Sequence, residues 1–270
     1  MPRDDILREP PAPADQRIRY GPEPEQFADL YFACDKSRAP LAINLHGGYW
    51  RAAYDLIHAS PFCAALAARG INTANIEYRR VGSVWAESRP KGLPSPSWPR
   101  TFQDVRSAYR DLMQRAAELG IAAAPAVILG HSAGGQLALC LAAHEKTVRH
   151  CISLAGVLDL RRAWQLHLSN DAVVEFLGGT PEQAPEYYRE ASPLELNIQN
   201  ARQAIVHGLA DEVVPVAISR DYAAVKKNRG EQVEFVPLPK ANHFDVIDPG
   251  SKAFATVADT VLRLVSGSRA

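Results

Sequence analysis

Short apolar runs alternate along this chain with longer stretches that are amphipathic or rich in alanine. The short runs predict strands near residues 29–34, 41–45, 71–77, 126–129, 148–154, 204–206 and 233–236. The longer stretches predict helices over 60–69, 97–119, 136–144, 216–227 and 252–265. Gly70 closes the first of these as a C-cap glycine, and Pro99 sits among the opening residues of the second. Strands separated by helices imply βαβ units, so the expected fold class is α/β with a mostly parallel sheet flanked by helices. Residues 1–16 are charged and proline-rich and read as a loose arm. Residues 17–270 read as a single domain, because no linker splits them. Two segments break the alternation. Residues 81–100 form a long Pro-, Gly- and Ser-rich loop, and residues 159–200 mix short helices with turns and could form a small lid.

Composition narrows the partners. Of 270 residues, 47% are apolar, enough for a sizeable core, and 30 basic residues balance 30 acidic ones. With no net field, nucleic acid and anionic membrane are not expected partners. The N-terminus lacks the apolar core of a signal peptide, and no apolar run reaches the length of a membrane span. The four cysteines are scattered, with no CxxC pair. A cytoplasmic location fits them better than a disulfide framework or a zinc site. The histidines show no metal-ligand spacing, so neither metal nor cofactor is expected. A homo-oligomer stays open.

The chemistry concentrates where strands end. The stretch AVILGHSAGGQLALCLAA places Gly130-His131-Ser132-Ala133-Gly134, a G-x-S-x-G pattern, between a strand and a helix. That context aims a serine hydroxyl at the carboxyl edge of a sheet; a serine N-cap in an ordinary turn is the plainer alternative. A nucleophile needs donors for the negative charge that grows on a carbonyl oxygen. The N–H of Ala133 is one candidate. The others are the N–H groups of Gly48 and Tyr49 in His46-Gly47-Gly48-Tyr49-Trp50, which follows the 41–45 strand. Tyr49 and Trp50 are also candidates for substrate contact. With Tyr78, Trp85 and Trp98 they could line an aromatic pocket, or each could be an ordinary anchor.

The base is expected late in the chain. His243, in a polar loop after the last strand, is favoured over His207, which reads as a structural residue at its strand end. Asp211, in the loop after the preceding strand, would orient His243 and stabilise its imidazolium. Glu212, Asp245 and Asp248 compete for that role. His46 and His131 read as scaffold for their turns.

On these residues the chain resembles the α/β-hydrolase superfamily over roughly residues 25–268. The HGG turn is similar to that of hormone-sensitive-lipase-like carboxylesterases, with Tyr49 where those carry a third glycine. HGGYW, GHSAGGQLA, ASPLE and NHFDVID resemble the arylformamidase (kynurenine formamidase) branch. The resemblance implies a Ser132–His243–Asp211 triad, an oxyanion hole at the HGGYW turn, and hydrolysis of a small ester or an aryl formamide such as N-formylkynurenine. Three alternatives stay open: a general short-chain carboxylesterase, a peptidase on the same fold, and a non-catalytic binding protein on a hydrolase scaffold.

Overall fold

A computed structural model of the chain describes residues 5–83, 98–122 and 126–266. Eight strands form one sheet: β1 (Gln16–Arg19), β2 (Phe27–Tyr31), β3 (Leu41–Leu45), β4 (Asn72–Ile76), β5 (Ala126–His131), β6 (His150–Leu154), β7 (Arg202–Gly208) and β8 (Val233–Leu238). Their spatial order is β1-β2-β4-β3-β5-β6-β7-β8. β1 and β2 pair antiparallel with their neighbours at one edge, and every pairing from β4 through β8 is parallel.

The helices are α1 (Ser60–Ala68), α2 (Arg100–Arg115), α3 (Ala133–His144), α4 (Leu160–Gln165), α5 (Ala172–Leu177), α6 (Pro185–Ala191), α7 (Val216–Asn228) and α8 (Lys252–Ser266). They cover both faces, and the period of two along each strand divides the core accordingly. Leu41, Ile43 and Leu45 pack with Phe102, Val105 and Leu137 from α2 and α3. Ala42, Val127 and Leu129 pack with Phe62 and Leu66 of α1 and Val257 and Val261 of α8. The central strands β3, β4 and β6 are buried at every residue, on both faces of the sheet. Among the described residues no helix is long and apolar enough to cross a membrane.

Two points differ from the sequence pattern, and a third agrees with it. The arm is not loose from Asp5 onward. Ile6 is buried, the Ala12 amide donates to Ser60 Oγ at 3.0 Å, and the Asp15 amide donates to Leu30 O at 2.9 Å. β1 was not foreseen, because its sequence QRIR buries only Ile18 and is held by pairing with β2. Residues 159–200 carry three short helices, and this segment is tied to the HGGYW turn: Arg51 makes a bidentate pair with Glu175, at 2.8 and 3.0 Å. Most of the Pro-rich 81–100 loop, residues 84–97, lies outside the described residues.

The carboxyl ends of β3, β5, β7 and β8 all open on one edge, and β5 leads straight into α3. That junction is tight. A Cβ on Gly134 would lie 2.0 Å from the Leu45 carbonyl oxygen, and one on Gly130 would lie 2.1 Å from the Gly134 carbonyl oxygen. Both obstacles are backbone, so neither can rotate away. Gly134→Ala should therefore cost about 2 kcal/mol or more through overpacking and lower the thermal unfolding midpoint measured by circular dichroism. An unchanged midpoint would refute this close packing.

Candidate active site

Ser132 is the residue on which β5 turns into α3. It holds φ 55° and ψ −118°, a conformation that L residues rarely adopt. Such strain costs on the order of 1–3 kcal/mol and persists only when the surroundings over-determine it. Here they do. The Ser132 amide donates to Leu154 O of β6 at 2.8 Å, and its carbonyl accepts from the amides of Gly135 and Val157 at 3.0 and 3.3 Å. The residue is 2% exposed. The Ala133 amide follows at the first turn of α3, where N–H groups have no intrahelical acceptor and the helix dipole favours negative charge.

The HGGYW turn lies against this elbow. A Cβ on Gly47 would fall 3.2 Å from Ser132 Cβ and 2.9 Å from His131 Nδ1. Gly48, Tyr49 and Trp50 all have positive φ, at 110°, 48° and 57°. That run turns the backbone so that the Gly48 and Tyr49 amides have no backbone acceptor among the described residues. A buried ionic group supports the turn from beneath. His46 Nε2 lies 3.1 Å from Glu77 Oε1, Tyr78 stacks on His46 with centroids 4.3 Å apart, and the Tyr78 hydroxyl donates to His46 O at 2.6 Å. Burial works against the Glu77 carboxylate, but His46, Arg80 and the Tyr78 amide outweigh it and lower its pKa.

The aromatic residues proposed for substrate contact are mostly anchors. Trp50 is 1% exposed; its indole N–H donates to Gln136 Oε1 at 2.9 Å and its ring stacks on Phe176. The expectation that its side chain touches substrate is therefore corrected: the indole fills the core behind the turn. Tyr49 is also largely buried, and its hydroxyl donates to Val213 O at 3.1 Å. Burial, then the nearby Asp211 charge, raises its pKa and keeps the phenol neutral. Tyr78 and Trp98 are buried, and Trp85 lies outside the described residues.

Asp211 follows β7 and His243 follows β8, and the parallel pairing of these strands brings the two loops together. His243 Nδ1 donates to Asp211 Oδ2 at 2.8 Å. The other oxygen, Oδ1, accepts from the Val213 and Val214 amides, each at 2.8 Å. Burial by itself would raise the pKa of this carboxylate. Hydrogen bonds from His207 and His243, the charge of His243 and the Val214 amide outweigh burial and hold it well below the usual range. The competing acids are engaged in local turns, Asp245 with the Asn242 amide and Asp248 with the Gly250 amide, and Glu212 is exposed.

His131 links the Ser132 turn to the His243 loop. Its Nε2 donates to His243 O at 2.9 Å, and the two ring centroids are 4.6 Å apart. Burial, reinforced by His243, pushes its pKa well below the ordinary histidine value, so the ring is neutral. The contact that sequence reasoning missed is His207. Its Nε2 lies 3.0 Å from Asp211 Oδ2, on the same oxygen that His243 uses. The only sequence signal for this contact is the four-residue spacing in HGLAD. Among the described residues no cluster of His, Cys, Asp or Glu is arranged to hold a metal ion.

A mostly parallel sheet flanked by helices, with a serine on a strained strand-to-helix turn, defines the α/β-hydrolase fold. The chain belongs to the BD-FAE family, whose profile matches residues 28–225. It is similar to esterase LipC of Mycobacterium tuberculosis, with 28% identity over 86% of this chain and 60% of that protein. The chain thus spans less than two thirds of the length of that relative. It is also similar to kynurenine formamidase of Drosophila melanogaster, with 26% identity over 86% of this chain and 75% of that protein. Among solved structures, an inhibited esterase B from Lactobacillus rhamnosis superposes with a TM-score of 0.80 at 17% identity, covering 97% of this chain and 90% of that one. At that identity the likeness speaks for the fold.

The depressed Asp211 pKa has a thermodynamic consequence. A carboxylate whose folded pKa lies below its unfolded value stabilises the fold fully above the unfolded value, and the contribution is lost as pH falls through the folded one. The stability difference between wild type and Asp211→Asn, from urea unfolding, should therefore stay constant above about pH 5 and shrink below about pH 4. A difference that grows toward acid would contradict the assigned charge.

Proposed function

We propose that this protein is a serine hydrolase that cleaves small carboxylic esters or aryl formamides through Ser132, His243 and Asp211. The observation that carries the reading is the His243–Asp211 hydrogen bond, 2.8 Å long, in loops beside the strained Ser132 turn. Asp211 fixes the proton of His243 on Nδ1, which leaves Nε2 free to accept a proton. Ser132 Oγ attacks the acyl carbon as its proton passes to His243 Nε2. The carbonyl π pair moves to oxygen, and the amides of Gly48, Tyr49 and Ala133 stabilise that charge. The tetrahedral intermediate expels the alcohol or amine, which takes the proton from His243, and leaves an acyl-serine. Water, deprotonated by His243, then releases the acid and restores Ser132.

The aryl formamide is the favoured substrate class. Its support is the HGGYW turn and the similarity to a kynurenine formamidase. A general short-chain carboxylesterase is the second reading, supported by the similarity to LipC. A cytoplasmic location is part of the proposal, and free Cys34, Cys63, Cys140 and Cys151 support it.

One kinetic series tests activity and substrate together. Wild type should turn over p-nitrophenyl acetate and react with a fluorophosphonate probe. Ser132→Ala should lose both while keeping its unfolding midpoint; retained turnover would remove Ser132 from the nucleophile role. On the favoured reading, kcat/KM for N-formylkynurenine equals or exceeds that for short-chain p-nitrophenyl esters. A value far below the ester values would leave a general esterase.

A further inference from the structure

We propose that His207 is a positioning residue for this reaction: with Ser219 behind it, its Nε2–H holds the Asp211 oxygen that orients His243. The inference rests on the serine hydrolase reading and deepens it. His207 is the penultimate residue of β7 and is fully buried, as is Ser219 in the first turn of α7. Nε2 donates to Val214 O at 2.9 Å and also lies 3.0 Å from Asp211 Oδ2. Both are acceptors, so the proton is on Nε2. Nδ1, 2.7 Å from Ser219 Oγ, then accepts the serine hydroxyl proton. Ser219 thus selects the tautomer of His207, as Asp211 selects that of His243.

The placement does more than fill space. Oδ1 of Asp211 is held by backbone amides, which fix the carboxylate at one end. Oδ2 carries the hydrogen bond that matters for the base, and His207, at the end of β7 four residues before Asp211, meets that same oxygen. It limits rotation of the carboxylate and draws electron density from Oδ2. Without it, Oδ2 would bear more negative charge and favour the imidazolium form of His243 more strongly. The other titratable groups facing this pair are His131 against the His243 ring and Tyr49 near Asp211. Burial keeps both neutral, so neither substitutes for the donor.

The test compares His207→Leu, His207→Gln and Ser219→Ala with wild type in full pH profiles of kcat and KM for p-nitrophenyl acetate. Fluorophosphonate labelling of wild type runs alongside; failure of wild type to label and turn over sinks the hydrolase reading itself, separately from His207. In an active enzyme, His207→Leu should lower kcat about 10- to 100-fold, the size of one hydrogen bond to a charged group. KM should stay unchanged, and the acid limb of kcat/KM should move to higher pH. His207→Gln, which keeps an N–H for Oδ2, should return the limb and most of kcat. Ser219→Ala should show a smaller loss with the same direction of limb shift, and it decides the matter if His207→Leu does not fold. A folded His207→Leu, or a Ser219→Ala, with the wild-type limb and kcat would overturn the proposal. So would a His207→Gln as impaired as the leucine variant.

Discussion

The backbone at Ser132 is the constraint around which this protein is arranged. A serine at φ 55° is unfavourable alone and is retained because β6, α3 and the segment after β6 all hydrogen-bond to it. Those bonds require α3 to begin immediately after β5. That in turn requires Gly130 and Gly134, since any Cβ there would meet the backbone carbonyls of Gly134 and Leu45. The same closeness presses the HGGYW turn against the elbow, where Gly47 leaves room for the Ser132 side chain. Strain at one residue is thus linked to the spacing of two strands, one helix and one loop.

Electrostatics in the site follow one design used twice. Glu77 lies under the HGGYW turn and Asp211 lies behind His243. Each is a buried carboxylate held in its charged form by backbone amides and by side-chain partners, His46 and Arg80 for Glu77, His207 and His243 for Asp211. A buried charge is tolerable only when its lone pairs are occupied in this way. The first pair holds the turn that presents the Gly48 and Tyr49 amides. The second orients the His243 ring. Tyr49 connects the two halves, because it belongs to the turn and its hydroxyl binds the carbonyl of Val213 in the Asp211 loop.

Much of this was legible in the chain, and the parts that were not have physical reasons. The mostly apolar runs at 41–45, 126–129 and 148–154 located the buried parallel strands, because both of their faces are covered. β5 extends to His131, past its apolar run, because Gly130 and His131 pair with Ser153 and Leu154. The G-x-S-x-G and HGG turns located the edge where chemistry could occur. Their flanking side chains were harder to read. Trp50 is the same residue type whether it faces a ligand or the core, and only packing against Gln136 and Phe176 decided it. Glu77 reads as the polar last residue of a strand, with nothing local to announce its pairing with His46, thirty-one positions earlier. His207 reads as structural because it sits at its strand end, and nothing in the local pattern announces that it approaches the same Asp211 oxygen as His243.

The central claim is that Ser132 carries the acyl group. It is tested most directly by mixing the enzyme with excess p-nitrophenyl acetate, quenching in acid within the first turnovers, and mapping the digested chain by mass spectrometry. The account predicts one acetyl group on the peptide that contains Ser132, absent from the Ser132→Ala protein. Release of p-nitrophenol with no acetylated Ser132, or with the acetyl group on another residue, would contradict it.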